Sequence, residues 1–420
     1  MIQRFIAKSI QRAKTYFTIF GPATITAMAD NDASGVATYA IAGAVLGYPI
    51  LLVLLIITPF LGLTQEMGMR LSLVTRKGLG DVIREYYGIR ASLFVFLCLL
   101  IANMGTIVVD VAAFKTTALL VHLPAIPIVM ILIFATFVIV TKGNYKLTQN
   151  IMLISSLFYL AYVFSAFQAH PDWSMAVGNL FIPHGVHFTP EYWKNYVIIG
   201  LGVLGTTITP WGQFFISSFE LDKKIDVSRI KYAQLETYGG ALITNFFSFF
   251  MVVATAATLF VHGIPLVNGT QAALAIKPFA GELAGVLFAW GIMNAGFMGI
   301  VTVGLSTAYA FSEFFGLSGG LDTSFTQSRT FYVIFLTQLL VAFVIVLFPF
   351  INLFQVAVAS QVLNAIILVP VFYYLIKFTS DRDRMGSRVN SVFQTWAAIS
   401  ATVVIAGASL FAILATVFHG

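Results

Sequence analysis

The sequence predicts an all-α polytopic membrane protein with eleven transmembrane helices, and three observations predict it. Of 420 residues, 59% are hydrophobic and 10% charged, whereas soluble domains run at about 45–50% and about 25%. Apolar segments of the roughly 20 residues needed to cross a hydrocarbon core about 30 Å thick follow one another along the chain. Runs such as IVMILIFATFVIV and VIFLTQLLVAFVIVLFPF are apolar on every face, unlike the alternating short strands of a membrane β-barrel.

The spans are expected at 20–45, 49–75, 91–119, 125–142, 147–168, 195–218, 236–262, 281–316, 329–349, 352–377 and 391–418. Residues 1–19 form a basic lead-in helix; the span they enter contains two Asp residues, unlike a cleaved signal peptide. The longest outer loop, 169–194, is rich in turn formers and aromatic anchors and divides the chain. Five helices precede it (20–168) and five follow (195–377). An odd number per half inverts the second relative to the first, the plan of many secondary transporters. Residues 378–420, a cytoplasmic loop and the eleventh helix, form an appendage.

A net charge of +6 and a pI near 9.3 raise the question of a nucleic-acid partner, and the placement of the basic residues answers it. If the first helix enters from the cytoplasm, every Lys and Arg except Lys115, Lys194 and Lys277 falls in an inner segment. The charge therefore tracks topology, with a cytoplasmic amino terminus, an extracellular carboxy terminus and the plasma (inner) membrane as the location. The expected partner is the lipid bilayer; no nucleic acid, obligatory protein partner or bound cofactor is implied. The lone Cys98 lies in an apolar run and allows no internal disulfide.

The first span reads TAMADNDASGVATYAIAGA, with Asp30, Asn31, Asp32, Ser34 and Gly35 at its centre. A charged side chain at mid-bilayer costs about 2.5–3.5 kcal/mol on insertion scales, so such residues face a cavity or a partner. No Lys or Arg occupies the middle of any span to pair with them. Successive helical residues point about 100° apart, so three consecutive polar residues share one site only where the helix unwinds. The sixth span reads GLGVLGTTITPWGQFFISSF, with Thr206, Thr207, Thr209, Pro210, Gly212 and Gln213 at its centre. Pro210 removes a donor and clashes with the preceding turn. A proline kink with back-bonded threonines is common in membrane helices. The acidic cluster at the matching place in the other half favours a binding site between two interrupted helices.

At these residues the chain resembles the NRAMP family of divalent metal transporters, and more closely its NRAMP-related magnesium transporter branch. GPATITAMADNDASG lies where the family has a Gly-Pro-Gly lead and Asp-Pro-Gly-Asn, so Asp32 matches the metal-binding aspartate and Gly35 the asparagine. The AGA of residues 42–44 and QEMGMRLSLVTRKGLGDVIREYYG also resemble family segments. GTTITPWGQ matches Ala-x-x-Met-Pro-His, and Ser360-Gln361-Val362 matches a Ser-Gln-Val whose glutamine helps bind metal. The resemblance implies a LeuT-like fold with helices 1 and 6 unwound; together with the polar residues at the two interruptions it leads to an expected metal site of Asp30, Asn31, Asp32, Gly35, Thr206, Thr209, Gln213 and Gln361, with Asp32 the chief ionic ligand. Thr209 stands where the family has methionine, Thr206 where it has alanine and Trp211 where it has histidine. Replacing sulfur with hydroxyl oxygen favours a hard ion, and Mg²⁺, reluctant to dehydrate, is expected with several waters. Mg²⁺ is thus the expected substrate, with Mn²⁺ second.

All six histidines, His122, His170, His184, His187, His262 and His419, fall in outer loops or at the outer terminus. The acid that the family carries early in its third helix appears as Ala102 or Asn103. Transport uncoupled from protons is therefore the expectation; the alternatives are a proton-coupled Mn²⁺/Fe²⁺ symporter, an organic-solute symporter whose substrate amine pairs with Asp32, and a channel-like or receptor role. Asp110 is assigned a structural partner, and Glu66 with Arg70, four residues apart, a helical ion pair. His184 and His187 read as ordinary loop histidines. Asn294 and Asn364 suit either the path or packing, and Asn268-Gly-Thr is a weak glycosylation pattern. No nucleophile–base pair or phosphate loop supports an enzyme.

Overall fold

The computed structural model describes residues 20–264, 266, 282–348 and 353–419. The expected lead-in helix at 1–19, Lys277 and Asn268-Gly-Thr lie outside them, as does the side chain of His419. The described residues are helical with no strand, in the order α1 (Pro22–Ala29), α2 (Ala33–Leu46), α3 (Leu51–Thr75), α4 (Leu79–Leu120), α5 (Ala125–Lys142), α6 (Tyr145–Ser156), α7 (Leu160–Gln168), α8 (Trp173–Asn179), α9 (Pro190–Thr207), α10 (Pro210–Asp222), α11 (Ile230–Thr255), α12 (Glu282–Phe315), α13 (Arg329–Leu347), α14 (Leu353–Thr379), α15 (Arg382–Met385) and α16 (Val392–His419). Ten helical stretches among them are long and apolar enough to cross a membrane, and α9 and α10 together make one of these. The first expected span is absent from that set because it is delivered as the short pair α1 and α2.

Two boundaries differ from expectation for a local reason. The segment 76–90, read as an inner loop, is helical from Leu79, and α4 kinks at Gly88, whose φ of 72° and ψ of −176° suit only glycine. The long loop before α9 contains α8, and α9 itself starts at Pro190, inside that loop. Aromatics near the start of α9 are tied to the end of α2 and the turn after it: Tyr192 donates to the Leu46 carbonyl at 2.9 Å and Tyr196 to that of Pro49 at 3.1 Å.

Burial sorts the helices into an inner set and an outer set. The apolar core of the α9–α10 stretch is 83% buried and that of α12 is 89%, against 22% for α5 and 28% for α16. Exposed Phe134, Phe158, Phe164, Val403 and Leu410 cover the outer set with apolar surface that water would penalise and a bilayer accepts. The broken pair α1 and α2 packs against α9, α10, α11, α12 and α14, which places the interruption at the centre of the bundle.

Several polar groups inside the bundle find partners there, as hydrocarbon favours. Thr58, which precedes the intrahelical Pro59, donates to the Leu54 carbonyl at 2.6 Å and accepts from Asn245 Nδ2 at 2.9 Å. Glu66 and Arg70 form the expected pair, with Nε–Oε1 at 2.7 Å and NH2–Oε2 at 3.0 Å. Arg70 also reaches the Arg388 carbonyl and Asn390, while Gln234 donates to Glu66 at 2.8 Å. A pair that reads as local thus joins α3, α11 and the turn before α16.

Candidate ion site at two helix breaks

The first break is short. Asp30, Asn31 and Asp32 donate backbone N–H to carbonyls three residues back, at 3.0–3.2 Å, so the helix tightens before it ends. Asp32 then turns extended, with ψ of 178°, and its carboxylate accepts from Gly35 N at 2.7 Å to cap α2. The second break has two extended residues, Ile208 and Thr209. Thr209 Oγ1 accepts from Gly212 N at 3.1 Å to cap α10, with Pro210 in its first turn. Each break therefore restarts its helix by the same device, a side-chain cap onto the glycine three residues on.

The breaks meet at Asp30. Thr209 Oγ1 lies 3.4 Å from Asp30 Oδ1, Gln65 Nε2 lies 3.5 Å from Oδ2, and Thr206 Oγ1 lies 3.4 Å from the Asp30 carbonyl. These contacts are long and leave the oxygens weakly satisfied. Gly35 makes the approach possible, since a Cβ there would strike the Asp30 carbonyl and stand 2.8 Å from Thr206 Oγ1. Across the bundle, Gly205 fits against the Gln361 backbone carbonyl for the same reason. Asp30, Asp32, Thr206, Thr209, Gln213 and Gln361 are all at most 2% exposed.

Asp110, expected to have a structural partner, finds it at this centre. Its Oδ1 accepts from Ala33 N at 3.1 Å, so it caps α2 beside Asp32, and its buried Oδ2 has no hydrogen-bond partner. Lys115 is not its partner: the ammonium donates to the Val346 carbonyl at 2.8 Å. Asp32 lies within electrostatic reach of both Asp30 and Asp110. Among the described residues no Lys or Arg forms an ion pair with any of the three acids. Three buried carboxylates with no cation demand either protons or a positive ligand.

Other expected site residues face elsewhere. Asn31 Nδ2 donates to Thr244, at 3.1 Å to O and 2.8 Å to Oγ1, and its Oδ1 accepts from Ser248 at 2.8 Å. Its carbonyl takes the Tyr159 hydroxyl at 2.8 Å. Asn31 therefore anchors the break to α11 and α6–α7 instead of presenting oxygen to the centre, because a residue one step along a helix points about 100° away. Gln361 Nε2 donates to Ser34 Oγ at 2.6 Å and its Oε1 accepts from Asn364 at 2.7 Å, which ties α14 to the start of α2. Gln213 is the opposite case: buried, with neither amide atom partnered, its Oε1 3.6 Å from where a Gly68 Cβ would stand. Asn294 donates to the Ser155 carbonyl at 2.9 Å, a packing role, and His184 Nδ1 contacts the Ile182 carbonyl at 2.7 Å. Among the described residues no three His, Cys, Asp or Glu side chains converge into a closed metal cage.

Comparison with known proteins meets this geometry from outside. The family model "Natural resistance-associated macrophage protein-like" (Nramp) matches residues 23–415. A divalent metal cation transporter MntH of Verminephrobacter eiseniae is 25% identical over 89% of this chain and 83% of its own length. MntH of Bacillus subtilis is 25% identical over 99% and 96%. The manganese transporter of Eremococcus coleocola, solved as a histidine-to-alanine mutant, superposes with a TM-score of 0.77 over 96% of this chain and 88% of its own at 17% identity. MhsT, solved with L-phenylalanine, superposes at 0.62 over 93% and 97% at 13% identity, so the LeuT-type fold is shared more widely than the ligand. A family model spanning nearly the whole chain, on a fold with both breaks in place, makes this polytopic membrane protein a member of the Nramp family.

Proposed function

We propose that the chain moves divalent metal cations across the membrane by alternating access, holding a hydrated ion between the two helix breaks, with Mg²⁺ the preferred substrate and Mn²⁺ the second. The single observation that carries this is the set of buried carboxylates, Asp30, Asp32 and Asp110, gathered at the first break without a basic partner. The names of the relatives agree with the class of ion, divalent metals and manganese. Preference for Mg²⁺ rests on donor chemistry. Thr209 offers a hydroxyl 3.4 Å from Asp30 Oδ1, oxygen in place of the sulfur that a methionine would bring, and hard ions prefer oxygen. Mg²⁺ held there would keep several of its waters. Asp32 is the chief ionic ligand; Asp30, Thr206, Thr209 and Gln213 hold the ion or its waters, Gly35 admits close approach, and Gln361 enters as the helices rearrange.

The ion moves down its gradient and the membrane potential, worth about 2.3 kcal/mol per charge per 100 mV. Asn103, close to where the family carries an acid, donates to Thr307 at 2.8 Å, and His122, His170, His184, His187 and His262 all lie outside the breaks. One observation favours a second reading, proton-coupled symport: Asp110 places a titratable group beside Asp32. Uptake of Mg²⁺, Mn²⁺ and Ca²⁺ into proteoliposomes carrying an internal pH dye tests both. Mg²⁺ flux without acidification is expected. Flux with acidification that Asp110→Asn abolishes establishes the second reading, and absence of divalent flux removes the function.

A further inference from the structure

A second group of buried acids lies at the opposite end of α1 from the break. Glu220 on α10 is 0% exposed, and neither of its carboxylate oxygens has a hydrogen-bond partner. Glu236 on α11 is also 0% exposed; its Oε1 accepts from Gly21 N at 2.7 Å and Thr24 N at 3.0 Å, capping α1, while Oε2 has no partner. Glu220 lies within electrostatic reach of Glu236. Independently of the acids, α6 supplies an unpartnered polar group. Tyr145 is 7% exposed, its hydroxyl is buried without a hydrogen bond, and its ring lies 4.6 Å from that of Phe219, the neighbour of Glu220. Glu220 and Glu236 both lie within electrostatic reach of this hydroxyl. Lys223 also lies near both acids, and its ammonium donates to the Phe20 carbonyl at 2.6 Å.

Two carboxylates and a phenol with unfilled acceptor positions, withdrawn from solvent, make a hard-oxygen donor set. We propose that Glu220, Glu236 and Tyr145 form a second divalent-cation site, a waypoint between the helix breaks and the basic end of the bundle. Spacing supports the route. Glu220 follows Gln213 by seven residues, which puts both on one face of α10 about 10.5 Å apart along its axis. Both are buried and carry unpartnered polar atoms. A cation leaving the break along α10 thus meets Gln213 and then Glu220. Because Glu236 also caps α1, an ion held here bears directly on the end of the half-helix that alternating access must move.

The waypoint role rests on the transport reading above, whereas binding does not, and the test separates them. Mn²⁺ binding to the intact chain in detergent is counted by the loss of its free-ion paramagnetic resonance signal. The parent is expected to bind two ions, Asp32→Ala one, Glu220→Gln one, and the double variant none. Asp32→Ala binding two while Glu220→Gln binds one contradicts the break reading and keeps this one. Glu220→Gln binding two with parental affinity overturns this one alone. The ion retained by Glu220→Gln doubles as evidence that the variant folds. Tyr145→Phe, which preserves the ring packing, gives a second test: about tenfold weaker binding of the inner ion is expected, the low end for removing a metal site's polar partner, and unchanged affinity overturns the assignment.

Discussion

The two breaks restart their helices by the same cap but interrupt them by different means. At the first, Asp32 accepts from Gly35 N; at the second, Thr209 accepts from Gly212 N. The first carries two acids, with Asp110 packed against it from α4, and a single extended residue, while the second is neutral, opens over Ile208 and Thr209 and relies on Pro210. That contrast implies a division of labour. The proline-broken helix supplies fixed shape and neutral oxygen, whose strength depends little on its surroundings. The acid-broken helix supplies charge whose cost in a dry interior is offset only by a cation or removed by a proton.

If that division holds, removing charge from the first break is the most damaging change. Asp32→Ala should weaken Mg²⁺ and Mn²⁺ binding by more than about 100-fold, beyond the roughly 10–100-fold loss typical of groups that merely support a ligand. Titration calorimetry on the intact chain reads this, and a loss under about tenfold would make the acids scaffolding. Asp110→Asn, which keeps an acceptor for Ala33 N, should cost about tenfold as a supporting group. A loss as large as that for Asp32→Ala would promote Asp110 to a direct ligand.

At the neutral break, altered donor chemistry should change selectivity more than affinity. Thr209→Met places a thioether opposite Asp30 and should shift the Mn²⁺/Mg²⁺ affinity ratio toward Mn²⁺ by about tenfold, or ~1.4 kcal/mol. Competition between the two ions checks this, and an unchanged ratio would mean that residue 209 does not face the ion. The smallest effect on affinity belongs to Asn31→Ala, within about threefold, because its amide is committed to Thr244 and Ser248. Its cost should appear in thermal unfolding, about 1–3 kcal/mol from the polar groups left behind on α11.

Much of this was legible in the sequence, for physical reasons that also mark where legibility stopped. Span positions follow from bilayer thickness, and both breaks follow from residues a continuous helix tolerates poorly. Glu66 and Arg70 follow from spacing alone. Asp110 did not, because its partner Ala33 N is 77 residues away and only tertiary packing shows it. The turning of Asn31 toward α11 and the engagement of Gln361 with Ser34 depend on helix rotation, which a list of polar residues does not contain. The helix through 79–87 was masked by the charges of an amphipathic segment, ended by the backbone of Gly88.

Anomalous scattering from Mn²⁺ in crystals of the intact protein would locate the ion itself. A peak is expected between the end of α1 and the start of α10, with Asp32 or Asp30 and the Thr209 hydroxyl as the nearest side chains and water completing its coordination. Strong Mn²⁺ density elsewhere, with the breaks empty and all three acids remote from it, would contradict a carriage site at the breaks.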